Sequence, residues 1–323
     1  MHAYISRRAL AAALGLAAAA TGLALAPAAG AQARPRDRDR DRDRDRAEEA
    51  GSSIDTTIAF APDGVVSLTL ISGNISVTGW ARAEARVRAY SERGEIQSDL
   101  SSSRIELDVR SRRGHMGDTR YEISVPAGAR VVAHTTSGDI VVRAVNGDVE
   151  AHTTSGELEV SNLGGRATLE SVSGGVRAAG VRGDLSVEAV SGTVDVRDVA
   201  GEVDAESVSG EVRLLGLRSR AVRAETVSGE IEFQGTLDPA GRYDFDAHSG
   251  SVRLTVPADA GAQVSVETFS GTIDSDFPMT LQPTGRRRED ADKRMDFTLG
   301  KGGARVRIET FSGAVTIEKG PSR

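Results

Sequence analysis

The chain has 323 residues, 39% of them apolar and only 4% aromatic, so any core is built from small aliphatic side chains. It has no cysteine, which excludes disulfides, thiolate metal sites and lipid attachment through an N-terminal cysteine. A net charge of −7 argues against nucleic acid as a partner.

Residues 1–33 read as a signal peptide. Arg7 and Arg8 precede an Ala/Leu run from Ala9 to Ala26, and Ala31-Gln32-Ala33 offers a small-x-small cleavage site. Both the general secretory route and the twin-arginine route stay open, and a retained anchor is the alternative to cleavage. Cleavage leaves no transmembrane segment and, by removing Arg7 and Arg8, moves the net charge from −7 to −9. The expected location is outside the cytoplasm: periplasmic, cell surface or secreted. Residues 34–53 follow as a disordered tether, because Arg36 to Arg46 alternates Arg with Asp and has nothing apolar to bury.

From residue 54 the chain is strand-like. Residues 54–130 carry five such runs, at Ile54 to Phe60, Val65 to Ile71, Arg82 to Tyr90, Arg104 to Val109 and Tyr121 to Val125, and are expected to form irregular N-terminal coils and a cap. Trp80 fits cap packing, with a sugar-stacking platform as the alternative.

Residues 131–234 are regular. Glycine recurs at every ninth residue from Gly138 through Gly147, Gly156, Gly165, Gly174, Gly183, Gly192 and Gly201 to Gly210, and alternate members follow a serine: Ser137, Ser155, Ser173, Ser191 and Ser209. A fixed short period means stacked identical units. Counting back two, four and six residues from each serine gives one inward row, as in Ser171, Leu169 and Ala167. Counting forward three and five gives a second, as in Val176 and Ala178, and a residue eight beyond, such as Val181, packs before the next corner. Each coil is thus two short strands and two glycine corners, and positive φ at the corners is the expected reason for glycine.

Residues 235–320 are wider coils. The serine count continues through Ser228, Ser249, Ser270 and Ser312, and every phenylalanine except Phe60 lies beyond residue 230. The last step of 42 predicts a hidden coil carrying a loop at 285–292. The fold class is all-β, a β-solenoid of stacked 18- to 21-residue two-strand coils.

The chain resembles a family of bacterial exported strand-repeat proteins catalogued under an adhesin label with unknown molecular function. Thr135-Thr136-Ser137-Gly138-Asp139-Ile140 with its successors carries the resemblance, as does the ending Gly302 to Gly313. The resemblance implies a β-solenoid outside the cytoplasm, with no catalytic residues to carry over.

Three files of side chains are candidates for function, the first two of them outward. Three residues before each serine stand His134, His152, Glu170, Glu188, Glu206, Glu225, Asp246, Glu267 and Glu309. Like charges about 5 Å apart repel by roughly 1 kcal/mol per pair even in water. Relief is expected from calcium or a cationic partner, or from water, mobile ions and side chains such as Arg223 and Arg307. His134, His152 and Glu170 are a candidate zinc set of two imidazoles and a carboxylate, although flat ladders point side chains parallel. Four residues after each serine, Glu159, Arg177, Asp195, Arg213, Glu232, Arg253 and Asp274 alternate in sign, which fits a register-setting ladder. One residue before each serine, Thr136, Thr154, Val172, Val190, Val208, Val227, His248, Phe269 and Phe311 form either core, the favoured reading, or an apolar stripe.

No unique carboxylate pair and no loop-walled cleft interrupts the regular coils, so no catalytic residue is assigned. The expected function is a non-enzymatic, adhesin-like envelope scaffold that binds a polymer, glycan or protein surface. A polysaccharide hydrolase or lyase using Glu170 with Glu188 or Glu206 is one alternative. An extracytoplasmic partner of a membrane regulator is the other.

Overall fold

The computed structural model describes residues 51–110, 117–278 and 294–320. The leader, nearly all of the tether and the loop expected at 285–292 lie outside these residues. The described residues form 25 strands and, as expected, an all-β solenoid. Two parallel sheets face each other. One is built from long strands such as Ala167–Ser173 and Leu185–Ser191, the other from short strands such as Val176–Ala179 and Val194–Arg197. Equivalent residues stack in register: Glu170 lies against His152 on one side and Glu188 on the other.

The rows assigned inward are the core. Val131, Ala133, Leu169, Val187, Ile140, Leu158, Val176 and Val212 are all fully buried, and Val145, Leu163, Val181, Val199 and Leu217 seal the second corner. Phe233, Tyr243 and Phe245 fill the wider coils, with the Phe233 ring 5.7 Å from Tyr243 and 5.4 Å from Phe245.

The two corners need glycine for different reasons. At the Ser-Gly corner Gly174 has φ +138°, and a Cβ there would sit 2.0 Å from the carbonyl oxygen of Gly156 in the coil below. At the other corner Gly183 does not have a left-handed φ; a Cβ would meet the Gly165 carbonyl at 2.2 Å, so close stacking alone demands glycine. The left-handed residue of that corner comes three positions earlier, at Ala144, Asn162, Gly180, Asp198 and Gly216.

The stacking order departs from sequence order at both ends. At the C-terminal end Ala304–Ser312 pairs with Arg242–Ser249 on one side and with Ala262–Ser270 on the other. Val315–Gly320 does the same between Val252–Pro257 and Ile273–Ser275. The last coil in sequence therefore fills a slot inside the stack. The step from Ser270 to Ser312 hides no intervening coil, because these serines are direct neighbours. Arg294–Leu299 instead runs antiparallel along Ala262–Ser270. At the N-terminal end Val65–Trp80 contributes to both sheets and lies inside the layer made by Arg104–Arg110 and Thr119–Pro126. Antiparallel strands Glu84–Ser91 and Glu95–Leu100 then cover that layer. These antiparallel strands blunt both N-terminal edges and the C-terminal edge of the long-strand sheet, which would otherwise template association.

Trp80 is half-buried near the turn between Val65–Trp80 and Glu84–Ser91, where its indole N–H donates to the Glu84 carbonyl at 2.7 Å. The Arg82 guanidinium lies 4.9 Å from the ring centre and occupies a face that a sugar platform would need.

Candidate functional site

The outward face of the long-strand sheet carries three parallel files, because alternate residues of every strand leave the core on that side. The middle file follows the coil order and runs Thr69, His134, His152, Glu170, Glu188, Glu206, Glu225, Asp246, Glu309, Glu267. All nine sequence-predicted positions are thus queued together, with Glu309 preceding Glu267 in space.

The repulsion expected along this file is relieved in two ways. Arg223 Nε donates to Glu225 Oε1 at 2.8 Å and Arg307 Nε to Glu309 Oε1 at 2.7 Å, each from two residues earlier on the same strand. Between these pairs the carboxyls hold protons more tightly. Burial pushes Glu206 up to about 7, with help from Asp204, Glu225 and Glu188, and pushes Asp246 up to about 6, with help from Glu309 and Glu225. Arginine-paired and proton-holding carboxyls therefore alternate over Glu206, Glu225, Asp246 and Glu309.

The two histidines follow Thr69 at the second and third steps of the file. Their rings stack with centres 4.7 Å apart and planes 13° from parallel. His152 engages carboxylates through both nitrogens, Nδ1 at 2.8 Å from Glu170 and Nε2 at 3.2 Å from Glu150. The Glu170 hydrogen bond raises the His152 pKa against its burial and holds the Glu170 carboxyl below its usual range. Burial, then the neighbouring His152, lowers that of His134. Glu150 was not singled out from the sequence. The signal was there: it lies two residues before His152, so the two share a face.

The file one residue before each serine faces outward, contrary to the favoured core reading. The strand stays extended through that position and the serine and bends only at the glycine, so the pleat that buries Thr135, Ser171 and Ser207 turns the next residue to solvent. Val172, Val190, Val208 and Val227 are half-buried, while Ile71, Phe311 and Phe269 are 50%, 46% and 55% exposed. His248, Phe311 and Phe269 stack in spatial order, with centres 5.0 and 4.8 Å apart. Stacked in this way, the rings turn mainly their edges outward along the file.

On the opposite sheet Glu159, Arg177, Asp195, Arg213, Glu232 and Arg253 alternate in register as predicted. Thr316 of the inserted coil separates Arg253 from Asp274. A cleft of about 270 Å³ is lined by Asp204, Arg223 and Asp244, and Glu206 is not among its lining residues. Among the described residues no helix is long and apolar enough to cross a membrane.

A family model described as Toastrack DUF4097 matches residues 66–232 and 148–318. No curated protein matches the chain. Among solved structures, the chain is similar to a "putative adhesin" from Bacteroides fragilis NCTC 9343, at 15% identity over 82% of this chain and 97% of that one, TM-score 0.39. It is similar to a "putative adhesin" from Parabacteroides merdae ATCC 43184, at 9% identity over 84% and 97%, TM-score 0.35. It is also similar to a "putative lipid binding protein" from Parabacteroides distasonis ATCC 8503, at 11% identity over 84% and 97%, TM-score 0.33. The repeat of Ser-Gly corners, the paired sheets and the two overlapping family matches agree: the chain belongs to the Toastrack DUF4097 family, a domain family of unknown function.

Proposed function

We propose that the protein is an exported, non-enzymatic, adhesin-like scaffold whose contact surface is the outward face of the long-strand sheet. The observation that carries this reading is the file from Val172 to Phe269, apolar except for His248, running beside the carboxylates from Glu170 to Glu267. An apolar stripe supplies contact area and the acidic file supplies sign selectivity, so the matching partner is a basic, amphipathic segment of an envelope protein. The opposite face, with its signs balanced step by step, offers no comparable preference.

The test is an array of envelope proteins, glycans and polymers probed with the wild-type chain and with Val190→Ser/Phe311→Ser. The reading expects capture of basic protein segments, weakened at least tenfold in the variant and by added salt. Equal capture by both proteins, or capture of neutral glycans alone, refutes it.

One observation favours a second reading. Glu206 holds a proton near neutrality beside Glu188 and Glu225, the acid-and-carboxylate combination a glycosidase uses. The cleft that would seat a sugar chain lies over the neighbouring file instead. Reducing-sugar release from a polysaccharide panel, abolished by Glu206→Gln, would establish hydrolysis and displace the scaffold reading.

A further inference from the structure

We propose that His134, Glu150 and His152 form a site for a divalent transition-metal ion of the zinc type, with Glu170 as the carboxylate that positions His152. One donor atom from each of the three lies within 4.8 Å of the other two. The decisive pair is tighter: His152 Nε2 and Glu150 Oε1 are 3.2 Å apart. A tetrahedral ion with bonds of about 2.0–2.1 Å holds adjacent ligands roughly 3.3 Å from one another. Ion and proton are thus interchangeable occupants of that gap.

Metal-bound imidazoles usually donate their remaining N–H to a carboxylate, which fixes tautomer and ring orientation. Glu170 already does this, accepting from His152 Nδ1 at 2.8 Å and leaving Nε2 directed at Glu150. His134 supplies the third ligand by tilting out of its stack until the 4.8 Å spread closes to about 3.3 Å. Water completes the fourth position.

The composition of the files picks out this place. Histidine stands in the middle file only at its second and third steps, and Glu150 lies between uncharged Val132 and Thr168 in the file alongside. The Arg130 guanidinium, 3.7 Å from Glu150, is placed to compete. Two imidazoles and one carboxylate favour zinc, nickel or copper over calcium or magnesium. The site lies on the same sheet face as the proposed contact surface, at its histidine end, but its existence does not depend on that reading.

The experiment is calorimetric titration of the purified full chain with zinc chloride, repeated with cobalt(II) to read the visible absorption of a four-coordinate ion. One zinc per chain and an intense cobalt spectrum are expected. His152→Gln should abolish both, Glu170→Gln should weaken zinc 10- to 100-fold, and Glu159→Gln on the opposite sheet should leave it unchanged. Excess calcium should not displace the ion. Matching apo melting curves across the variants separate loss of ligand from loss of fold. No zinc uptake by the wild type, uptake unaltered in His152→Gln, or displacement by calcium each overturns the proposal.

Discussion

Glu206 is the position where the acidic file most strains the fold. Its side chain is buried between Glu188 and Glu225, and burial beside these charges pushes its pKa from the usual 4.5 up to about 7. Because the folded state holds that proton more tightly than the unfolded chain, the native protein binds more protons between those values, and stability falls as pH rises from 4.5 through 7. The shift corresponds to about 3 kcal/mol of destabilisation fully expressed above pH 7 and absent below 4.5, an upper bound because the site relaxes. Glu206→Gln keeps the shape and removes the charge. It should therefore melt with the wild type at pH 4.5 and above it at pH 8.5, by roughly 6 to 12 °C if the full amount is realised. Thermal unfolding across that pH range reads the difference directly. A gap that does not change with pH, or a variant less stable at pH 8.5, refutes the reasoning.

Other expectations follow from single sites. Millimolar calcium should raise the melting temperature more at pH 8.5, where Glu206 and Asp246 are ionised, than at pH 5.5; equal shifts would remove calcium from the acidic file. Gly174→Ala should cost about 3 kcal/mol or more, since it combines a left-handed φ with a 2.0 Å approach to a carbonyl. Gly175→Ala next to it meets nothing closer than 3.6 Å and should be within about 1 kcal/mol of neutral, so denaturant curves that fail to separate the two would contradict the corner geometry. Tyr243→Phe should cost about 1–3 kcal/mol in the same assay, because the buried hydroxyl donates to the Ser219 carbonyl at 2.9 Å and accepts from the Asp238 N–H at 2.8 Å.

Most of this architecture is legible in the period of the sequence. Serine spacing placed Glu170 beside Glu188 and assigned Leu169 and Val176 to the core, because a parallel stack converts a sequence interval into a spatial neighbour. What it could not convey was order at the ends. A count of 42 between Ser270 and Ser312 is equally compatible with two coils or with a chain that overshoots and returns, and only pairing distinguishes them. The valine and phenylalanine file turns outward for a local reason. Apolar character suggested burial, whereas the direction of residue 190 or 311 depends on whether the strand bends before or after it. The histidine cluster was half legible: His134, His152 and Glu170 followed from the period, while Glu150 belongs to the adjacent file and needed the two-residue alternation within one strand.

The contact-face reading rests on equivalent positions queuing in one file, with Glu309 between Asp246 and Glu267. A chain without cysteine lends itself to disulfide trapping at chosen pairs. Directly paired neighbours about 4.8 Å apart can be bridged, and positions two layers apart cannot. Under oxidation, Asp246→Cys with Glu309→Cys and Glu309→Cys with Glu267→Cys should each cross-link within one chain, while Asp246→Cys with Glu267→Cys should not. Cross-linking of the last pair with failure of the first would contradict the coil order and the file built on it.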